Sequence, residues 1–283
     1  MYKKLLGNIV AQSITEMLKQ EIKNEKLNPT LGIVVVGEDK PSQVYVKKKC
    51  EKAEETGIKA QVFRFPETIS EKELLDEIRK LNDDNEIDGF IVQMPLPKQI
   101  NPDLVIKAID PKKDVDGFHS LNMGKVMQNI VDERTFWPAT PLGVMKILEF
   151  YKIPVEGKKA VVIGRGNIVG RPVAMMLLHK NATVTICHSK TKDLKKETKK
   201  ADIIIAAAGN PCLVTADMVK EGATIIDVGT TRVVIDGKEK VVGDVDFNNV
   251  IKKASCSPVP GGVGPLTVAM LLSNTVKAAR NRS

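Results

Sequence analysis

The sequence predicts an α/β protein of two domains, each with three layers in which helices cover both faces of a mostly parallel sheet. Short β-branched segments alternate with amphipathic segments along almost the whole chain, which is typical of β-α-β units. Pro138 and Pro141 interrupt this alternation near the middle of the chain, where they would stiffen a connection. The length of 283 residues also fits two domains, since about 150 residues per domain is common.

The first half of the chain predicts a helix, a strand and then further alternation. Apolar residues recur at helical spacing over residues 7–26, and a β-branched run over residues 30–37 ends in glycine, as buried parallel strands do. Pro41 at the start and Gly57 just past the end bound a helix over residues 41–55. By the same criteria we expect strands over residues 60–65 and 88–93 and helices over residues 70–81 and 102–108.

The second half predicts another alternating series after the prolines. A helix over residues 142–150 leads into it, and a glycine- and proline-rich stretch over residues 258–265 precedes a final helix over residues 266–279. Asp236 and Gly237 predict the turn of a β-hairpin. The other predicted elements are strands over residues 159–163, 183–187, 202–207 and 224–228 and a helix over residues 172–179.

Composition limits the partners and the compartment. The net charge of +8 favours anionic partners, but aromatic residues make up only 4% and do not interleave with basic ones, which argues against nucleic-acid binding. The N-terminal segment is too polar for a signal peptide, and no apolar run approaches the ~18 residues of a membrane span, so we expect a cytoplasmic protein. The four cysteines and three histidines lack ligand spacing, which predicts small buried cysteines and no metal site.

A glycine-rich segment lies between the predicted strand over residues 159–163 and the helix that follows it. Gly164, Gly166 and Gly170 have the spacing G-x-G-x-x-x-G, one residue longer than the usual dinucleotide-binding motif. Glycines let the backbone approach a pyrophosphate, and a helix N-terminus offers free N–H groups and a positive dipole end. The segment therefore predicts a nucleotide phosphate site, with a purely structural turn as the alternative.

The next predicted strand bears on which nucleotide is bound. NAD sites usually place Asp or Glu about 20 residues after the glycines to hold the ribose hydroxyls. Residues 186–191 contain no acid and offer instead the hydroxyl of Ser189 and the cation of Lys190. Arg165 would add a forked second cation for a 2′-phosphate. We therefore expect NADP rather than NAD; the alternative is that His188 and Lys190 only end a strand.

The predicted helix over residues 41–55 carries a candidate chemical site. Ser42, Tyr45 and Lys49 share one face, and an aromatic ring one turn from a lysine could hold a flat heterocycle beside an amine. The alternative is an amphipathic helix whose lysine stem covers apolar surface.

Two other segments favour a site. The predicted strand over residues 88–93 ends in Gln93, and polar groups at the carboxyl ends of strands line ligand crevices in open α/β sheets. Asp114 and Asp116 lie two residues apart in a stretch that we expect to be extended, with both carboxylates on one side. They could bind an amino-heterocycle or cap the following turn.

Together these segments resemble the methylenetetrahydrofolate dehydrogenase/methenyltetrahydrofolate cyclohydrolase family. The resemblance extends in order from residue 42 to residue 270 and covers nearly the whole chain. The matching motifs are SQVYVKKK at residues 42–49, GFIVQMPLP at 89–97, KDVDGF at 113–118, GR at 164–165, NIVG at 167–170, CHSKT at 187–191, GDVDF at 243–247 and PGGVGPLTVAM at 260–270.

The resemblance implies a homodimer whose chain has two domains with folate in the cleft between them. Residues 1–138 plus 265–283 would form the catalytic α/β domain, and residues 139–264 the Rossmann-type NADP-binding domain. The implied reactions are NADP-dependent oxidation of 5,10-methylenetetrahydrofolate to 5,10-methenyltetrahydrofolate and hydrolysis of that product to 10-formyltetrahydrofolate. The positive charge would then serve the NADP phosphate and a folate with a polyglutamate tail, with no nucleic-acid or membrane partner.

The resemblance also implies roles for individual residues. Lys49 would be the catalytic acid/base, and Gln93 would hydrogen-bond to it and tune it. Tyr45 would stack on the folate, while Asp116 would anchor the amino edge of the pterin. The other implied folate contacts are Val92, Pro95, Pro260, Gly261, Gly262 and Val263. The implied NADP contacts are Gly164, Arg165, Gly166, Ile168, His188, Ser189 and Thr230.

The chain departs from the family pattern at three places. Gly166 stands where the family often has Ser, which removes a hydroxyl near the expected 2′-phosphate. Thr230 and Thr231 stand where the family usually has Ile and Asn, and Ala139 replaces a common Cys. The alternative functions are another two-domain NADP-dependent dehydrogenase of the shikimate type, or dehydrogenase activity without the hydrolysis.

Overall fold

The computed structural model describes residues 2–235 and 237–282, so that Met1, Asp236 and Ser283 lie outside the description. The chain divides into two compact units. The first unit comprises Ser13–Ala139 and Val268–Ser283, and the second comprises Met1–Gln12 and Thr140–Thr267. The α/β fold class is confirmed, whereas the functional division into residues 1–138 with 265–283 and residues 139–264 stays a prediction.

The predicted helices and strands are present, with ends that differ by a few residues. Helices α8 and α9 and strand β10 were not predicted because they are too short to show a periodicity. Helix α5, also missed, contains a glycine in its middle. The helices are α1 (Gly7–Glu25), α2 (Lys40–Thr56), α3 (Glu71–Asp83), α4 (Pro102–Ala108), α5 (Ser120–Met127), α6 (Ala139–Phe150), α7 (Gly170–His179), α8 (Leu194–Thr198), α9 (Phe247–Val250) and α10 (Val263–Arg282), with a 3₁₀ turn at Ala216–Met218. The strands are β1 (Thr30–Val36), β2 (Lys59–Phe65), β3 (Gly89–Val92), β4 (Lys159–Ile163), β5 (Thr183–Cys187), β6 (Ile203–Ala206), β7 (Thr224–Asp227), β8 (Thr231–Ile235), β9 (Lys238–Val242) and β10 (Ser255–Cys256).

The first unit is built on a parallel sheet with the strand order β2-β1-β3. Strand β1 is buried along its whole length, which explains its unbroken β-branched sequence. Helix α2 begins where the Asp39 carboxylate accepts the Ser42 N–H, and it ends at Gly57, whose φ of 87° suits glycine. These two ends set the length of α2.

A loop runs beside the last strand of this sheet. The Phe90 N–H of β3 donates to the Lys113 carbonyl at 2.9 Å, and Phe90 forms a parallel bridge with Asp114. Asn274 of α10 donates from its side chain to the carbonyls of Val115 and Trp137 at 2.8 and 3.0 Å. The loop is therefore anchored close to the carboxyl end of β3, where Gln93 follows.

The second unit is built on a five-stranded parallel sheet with the order β10-β7-β6-β4-β5. The chain adds β5 on one side of β4 and then returns to add β6 on the other, so the strand order reverses beside β4. Open α/β sheets bind ligands at such a reversal, outside the carboxyl ends of the strands. Strands β8 and β9 form the expected antiparallel hairpin, although Asp236 of its predicted turn lies outside the described residues.

The cysteines follow the prediction only in part. Cys187 and Cys256 are buried and Cys50 is half-buried, as small apolar residues would be. Cys212 is exposed, so the prediction is wrong for that residue. All four are free thiols, and within residues 2–235 and 237–282 no group of three or more His, Cys, Asp or Glu is placed to hold a metal ion. None of the helices in the described part of the chain is long and apolar enough to span a membrane.

Candidate active site

Helix α2 and the end of β3 bring a lysine and a glutamine together in the first unit. The Lys49 Nζ donates to the Gln93 Oε1 at 3.0 Å. Lys49 is half-buried, whereas Tyr45, one turn earlier on the helix, is 43% exposed. The face shared by these two residues therefore presents an aromatic ring to solvent and an amine to the interior of the unit.

The amide of Gln93 is held in one orientation. Its Nε2 donates to the Met94 carbonyl at 2.8 Å, and its backbone N–H donates to the Val34 carbonyl of β1 at 2.9 Å. Because the nitrogen end of the amide is engaged, the oxygen end faces Lys49. A fixed acceptor of this kind holds the amine in one position and leaves its other protons or its lone pair available.

The two neighbouring acids Asp114 and Asp116 have different surroundings. Asp114 is buried and accepts hydrogen bonds from the backbone N–H groups of Gly117, Phe118 and His119. It also accepts a hydrogen bond from the Asn122 side chain at 2.9 Å. For this residue, therefore, the alternative of capping the following turn is correct. The segment that carries Asp114 and Asp116 consists of turns on either side of the β-bridge at Asp114. The prediction that this segment is extended is therefore wrong.

Asp116, in contrast, is half-buried and accepts none of those turn hydrogen bonds. Its side chain lines a small cavity of the first unit together with Val92, Met94 and Phe118. It is close enough to Lys49 for each charge to shift the pKa of the other. Lys49, Gln93 and Asp116 thus form one cluster, which we call the lysine cluster.

The pKa values of the lysine cluster are displaced toward neutrality. Burial lowers the pKa of Lys49, and attraction to the Asp116 carboxylate opposes part of that shift. Burial raises the pKa of Asp116 from 3.8 to about 6; Lys49 opposes this rise, and the like charge of Asp114 adds to it. A lowered pKa makes the neutral amine of a lysine more accessible than in an ordinary lysine, and so favours a role in proton transfer.

In the second unit, the glycine-rich loop follows β4 and leads into α7. Gly164 has a φ of 121°, and a Cβ added there would lie 2.1 Å from the Ala207 carbonyl oxygen. A Cβ added to Gly170 would lie 2.3 Å from the Gly164 carbonyl oxygen. Both positions therefore require glycine for close backbone packing, so part of the structural-turn alternative is correct. Gly166 differs, because an added Cβ would meet no atom within 4 Å.

The other predicted nucleotide contacts lie at the same edge of this sheet. His188 and Ser189 directly follow β5, and Thr230 lies three residues after the end of β7. Arg165, Ile168, Ser189 and Thr230 are exposed, and His188 is half-buried. The Gly164 N–H donates to the Cys187 carbonyl at 2.8 Å, which holds the glycine loop beside His188. The structure therefore gathers the predicted nucleotide contacts at the carboxyl edge.

The remaining predicted folate contacts divide between the units. Val92 is buried and Pro95 is exposed, and both belong to the first unit. In the second unit, Pro260 is exposed, and Gly261 accepts hydrogen bonds from the N–H groups of Gly7 and Asn8. Gly262 and Val263 are buried there, where a Cβ on Gly262 would lie 2.4 Å from the Pro258 carbonyl oxygen.

Comparison with known proteins decides the family. The model of the catalytic domain of tetrahydrofolate dehydrogenase/cyclohydrolase matches residues 5–116, and the model of the NAD(P)-binding domain of the same family matches residues 138–283. The bifunctional protein FolD of Moorella thermoacetica is 52% identical over 278 residues, which are 97% of this chain and 97% of the relative. The chain belongs to the tetrahydrofolate dehydrogenase/cyclohydrolase family. It is an enzyme of this family, as its motifs predicted.

Solved structures of family members agree with this assignment. The bifunctional enzyme FolD from Campylobacter jejuni is 48% identical, with a TM-score of 0.95 and full coverage of both chains. The dehydrogenase-cyclohydrolase of Trypanosoma brucei, solved with NADP and an inhibitor, is 35% identical with a TM-score of 0.94 and covers 99% of this chain and 98% of its own. The shikimate-type alternative is therefore not supported.

Two buried carboxylates of the second unit received no role from the sequence. Asp227 ends β7, and Asp244 lies in the GDVDF motif that helped to identify the family. Both acids accept hydrogen bonds from backbone N–H groups at the carboxyl edge of the sheet. In the sequence, Asp227 lies two residues before Gly229, and Asp244 directly follows Gly243. This pairing of an acid with a glycine was the signal from which the two residues could have been found.

Proposed function

We propose that this enzyme oxidises 5,10-methylenetetrahydrofolate with NADP and hydrolyses the resulting 5,10-methenyltetrahydrofolate to 10-formyltetrahydrofolate. The observation that carries the proposal is the lysine cluster, in which a half-buried amine faces a fixed amide oxygen at 3.0 Å. The family relationship supports both activities, and the cluster supports a residue able to perform the second.

Lys49 is assigned the proton transfers of the hydrolysis. Water must add to the carbon between the two nitrogens of the cationic methenyl group. One proton of that water must reach the nitrogen whose bond to the carbon breaks, and the other must be released to solvent. An amine with a lowered pKa accepts the first proton and returns it, whereas a fully charged lysine only repels the cationic substrate. Gln93 holds the amine at one position by accepting its hydrogen bond.

Tyr45 and Asp116 are assigned to folate binding. The exposed ring of Tyr45 offers a stacking surface one helical turn from Lys49. The Asp116 carboxylate lines the small cavity and offers acceptors for the amino edge of a pterin. Contacts of the folate with Val92, Pro95, Pro260, Gly261, Gly262 and Val263 stay predictions.

The residues at the carboxyl edge of the second sheet fit a dinucleotide. Gly164 and Gly170 keep the backbone close to β6 and to α7, and the exposed Gly166 leaves open space at the loop. Arg165 and Ser189 supply a cation and a hydroxyl for a 2′-phosphate, with no acid among residues 186–191. The trypanosome relative with bound NADP supports the same nucleotide. When bound, the nucleotide accepts the hydride, while the chain contributes binding and orientation.

The direct test supplies the wild-type enzyme with methylenetetrahydrofolate and either NADP or NAD. We expect the absorbance of the reduced nucleotide and that of the methenyl intermediate to rise first, and the methenyl absorbance then to decay as water is added. Persistence of the methenyl compound would show dehydrogenase activity alone. Absence of nucleotide reduction would refute the proposal.

Substitution of Lys49 tests its role. Lys49→Met should lower cyclohydrolase kcat by about 10² to 10⁴, the usual contribution of general acid–base catalysis, while folate still binds. The measurement is the decay of added methenyltetrahydrofolate, together with a folate binding titration. Lys48→Met changes an exposed lysine of the same helix and should keep full activity. A full hydrolytic rate in Lys49→Met would remove the assignment.

A homodimer, a cytoplasmic location and use of polyglutamylated folates complete the proposal. The net charge of +8 is consistent with anionic ligands of this kind.

A further inference from the structure

A pair of buried carboxylates lies at the carboxyl edge of the second sheet and takes no part in the function proposed above. Asp227 and Asp244 are 2% and 0% exposed. We call this pair the carboxylate brace. Burial of a carboxylate is costly unless hydrogen bonds compensate it, so the partners of the brace indicate what the two acids do.

The carboxylate brace joins three segments through backbone hydrogen bonds. The Asp244 Oδ2 accepts the N–H groups of Ala208 and Gly209, just after β6, at 2.6 and 2.9 Å. The Asp227 carboxylate accepts the N–H of Gly229, just after β7, at 2.9 Å. It also accepts the N–H groups of Asp244 and Val245, both at 3.0 Å. Each loop that follows β6 or β7 is thus tied to the brace.

Two glycines make room for the brace. A Cβ added to Gly243 would lie 1.9 Å from the Asp227 Oδ2, and a Cβ added to Gly229 would lie 2.4 Å from the Asp244 Oδ1. That Asp244 Oδ1 is buried and has no hydrogen-bond partner among the described residues. The two carboxylates and the two glycines therefore pack against one another at this edge of the sheet.

The brace also reaches the glycine-rich loop through a single residue. Ala207 donates its N–H to the Ile163 carbonyl of β4 at 2.8 Å, and its carbonyl oxygen lies against Gly164, where a Cβ would approach it to 2.1 Å. Asp244 holds the next two residues of the same segment. Displacement of residues 208–209 would therefore move the surface on which the glycine-rich loop packs.

We propose that Asp244 is a positioning residue for nucleotide binding, which acts by fixing residues 207–209 beneath Gly164. Through Gly229 the same carboxylate lies next to the segment that carries Thr230, a predicted nucleotide contact. This inference rests on the proposed function, because that function places NADP at this edge of the sheet. It assigns a role to the GDVDF motif that neither hydride transfer nor hydrolysis requires directly.

The test compares Asp244→Ala, Asp244→Asn and the control Asp246→Asn in the full-length protein. Asp246 belongs to the same motif, but its carboxylate accepts from the Asn249 side chain and not from the loops at the sheet edge. For each protein we would measure the dissociation constant for NADP by titration, cyclohydrolase kcat, and hydrogen exchange at the amides of Ala208 and Gly209.

Asp244→Ala should raise the dissociation constant for NADP about tenfold or more, as expected for lost hydrogen bonds to a charged acceptor. Its cyclohydrolase kcat should stay within about twofold of wild type, since that reaction uses no nucleotide. Exchange at Ala208 and Gly209 should accelerate. Asp244→Asn keeps an oxygen that can accept both N–H groups and should recover most of the affinity, and Asp246→Asn should bind as wild type does.

Two outcomes overturn the inference. Unchanged NADP affinity in Asp244→Ala would show that the carboxylate does not position the loops. Parallel loss of NADP binding and cyclohydrolase activity in that variant, with no recovery in Asp244→Asn, would show that it supports the unit as a whole. The wild-type enzyme serves as reference, because its failure to bind NADP or to hydrolyse methenyltetrahydrofolate would instead contradict the proposed function.

Discussion

The two candidate binding regions of this enzyme are built from different parts of the chain. In the second unit, the glycine-rich loop is shaped by its backbone, since Gly164 and Gly170 each lie where a Cβ would overlap a carbonyl oxygen. In the first unit, the lysine cluster is shaped by side chains whose burial displaces their pKa values. Adding a side-chain atom should therefore disrupt the glycine-rich loop, which we call the backbone site. Removing a charge should instead disrupt the lysine cluster, which we call the side-chain site.

The largest expected effect comes from adding one carbon atom to the backbone site. Gly164→Ala places a Cβ 2.1 Å from the Ala207 oxygen at a φ of 121°, which side chains rarely adopt. We expect a loss of about 3 kcal/mol in the free energy of unfolding, together with loss of NADP binding. Chemical denaturation and a nucleotide titration would measure the two effects.

Gly166 provides the matched control for this experiment. The same substitution, Gly166→Ala, adds a Cβ that meets no atom within 4 Å and should change stability by less than about 0.5 kcal/mol. Equal damage from both substitutions would break the comparison, because it would show that the whole loop, and not its close approaches, determines the site.

This difference between the regions also explains what the sequence could predict. Hydrophobic periodicity located the long helices and the strands, and glycine spacing located the backbone site because its residues are contiguous. The lysine cluster could not be derived from spacing, since Lys49 and Gln93 are 44 residues apart in the sequence and only the folded chain brings them into hydrogen-bond contact. Each member was a candidate from its own segment, and the family resemblance implied the role of each.

The acids on the loop beside β3 show a second limit of sequence reasoning. Alternation in an extended segment would give Asp114 and Asp116 the same surroundings. The loop instead turns at Gly117, with a φ of 75°, and Asp114 caps that turn, while the charge of Asp116 interacts with that of Lys49. Buried carboxylates such as Asp244 are equally hard to assign, because their partners are backbone N–H groups that carry no sequence signal.

Removing the charge of Asp116 tests the side-chain site, and we expect its effect on the free energy of unfolding to be smaller than that of Gly164→Ala. Because burial raises the pKa of Asp116 from 3.8 to about 6, the folded protein keeps a proton that the unfolded chain releases over that interval. The contribution of this carboxyl to stability is therefore largest below pH 3.8 and is lost as the pH rises through 6. Asp116→Asn should gain about 2 kcal/mol relative to wild type between pH 4 and 7, after allowance for solvent screening.

Denaturation at several pH values would measure this gain, with Asp83→Asn as a control that introduces an amide at an exposed position of the same unit. The Asp116 substitution should also lower the pKa of Lys49 further, because it removes an attraction that favours the charged amine. Acetylation of Lys49 as a function of pH would report that shift. A pH-independent stability difference, or a rise in the pKa of Lys49, would show that the two groups are not coupled as the structure indicates.

The smallest expected effect concerns an exposed side chain on the backbone site. If the backbone cradles the pyrophosphate common to both nucleotides, Arg165 contributes only to recognition of the 2′-phosphate. Arg165→Ala should then weaken NADP binding about tenfold and leave NAD binding nearly unchanged, because a single exposed cation is partly screened by solvent. Titrations of both nucleotides at two salt concentrations would measure the ratio, which should shrink as salt rises.

Arg171 offers the matched control for the arginine substitution. It lies at the start of α7 and donates to the Asn167 side chain at 2.7 Å, so Arg171→Ala removes an equal charge that the loop itself engages. We expect this variant to lower the affinities for the two nucleotides by similar factors. If Arg165→Ala instead weakens NAD as much as NADP, the arginine shapes the loop rather than reading the phosphate. In that case side chains as well as backbone would build the second region, and the contrast between the two units would no longer hold.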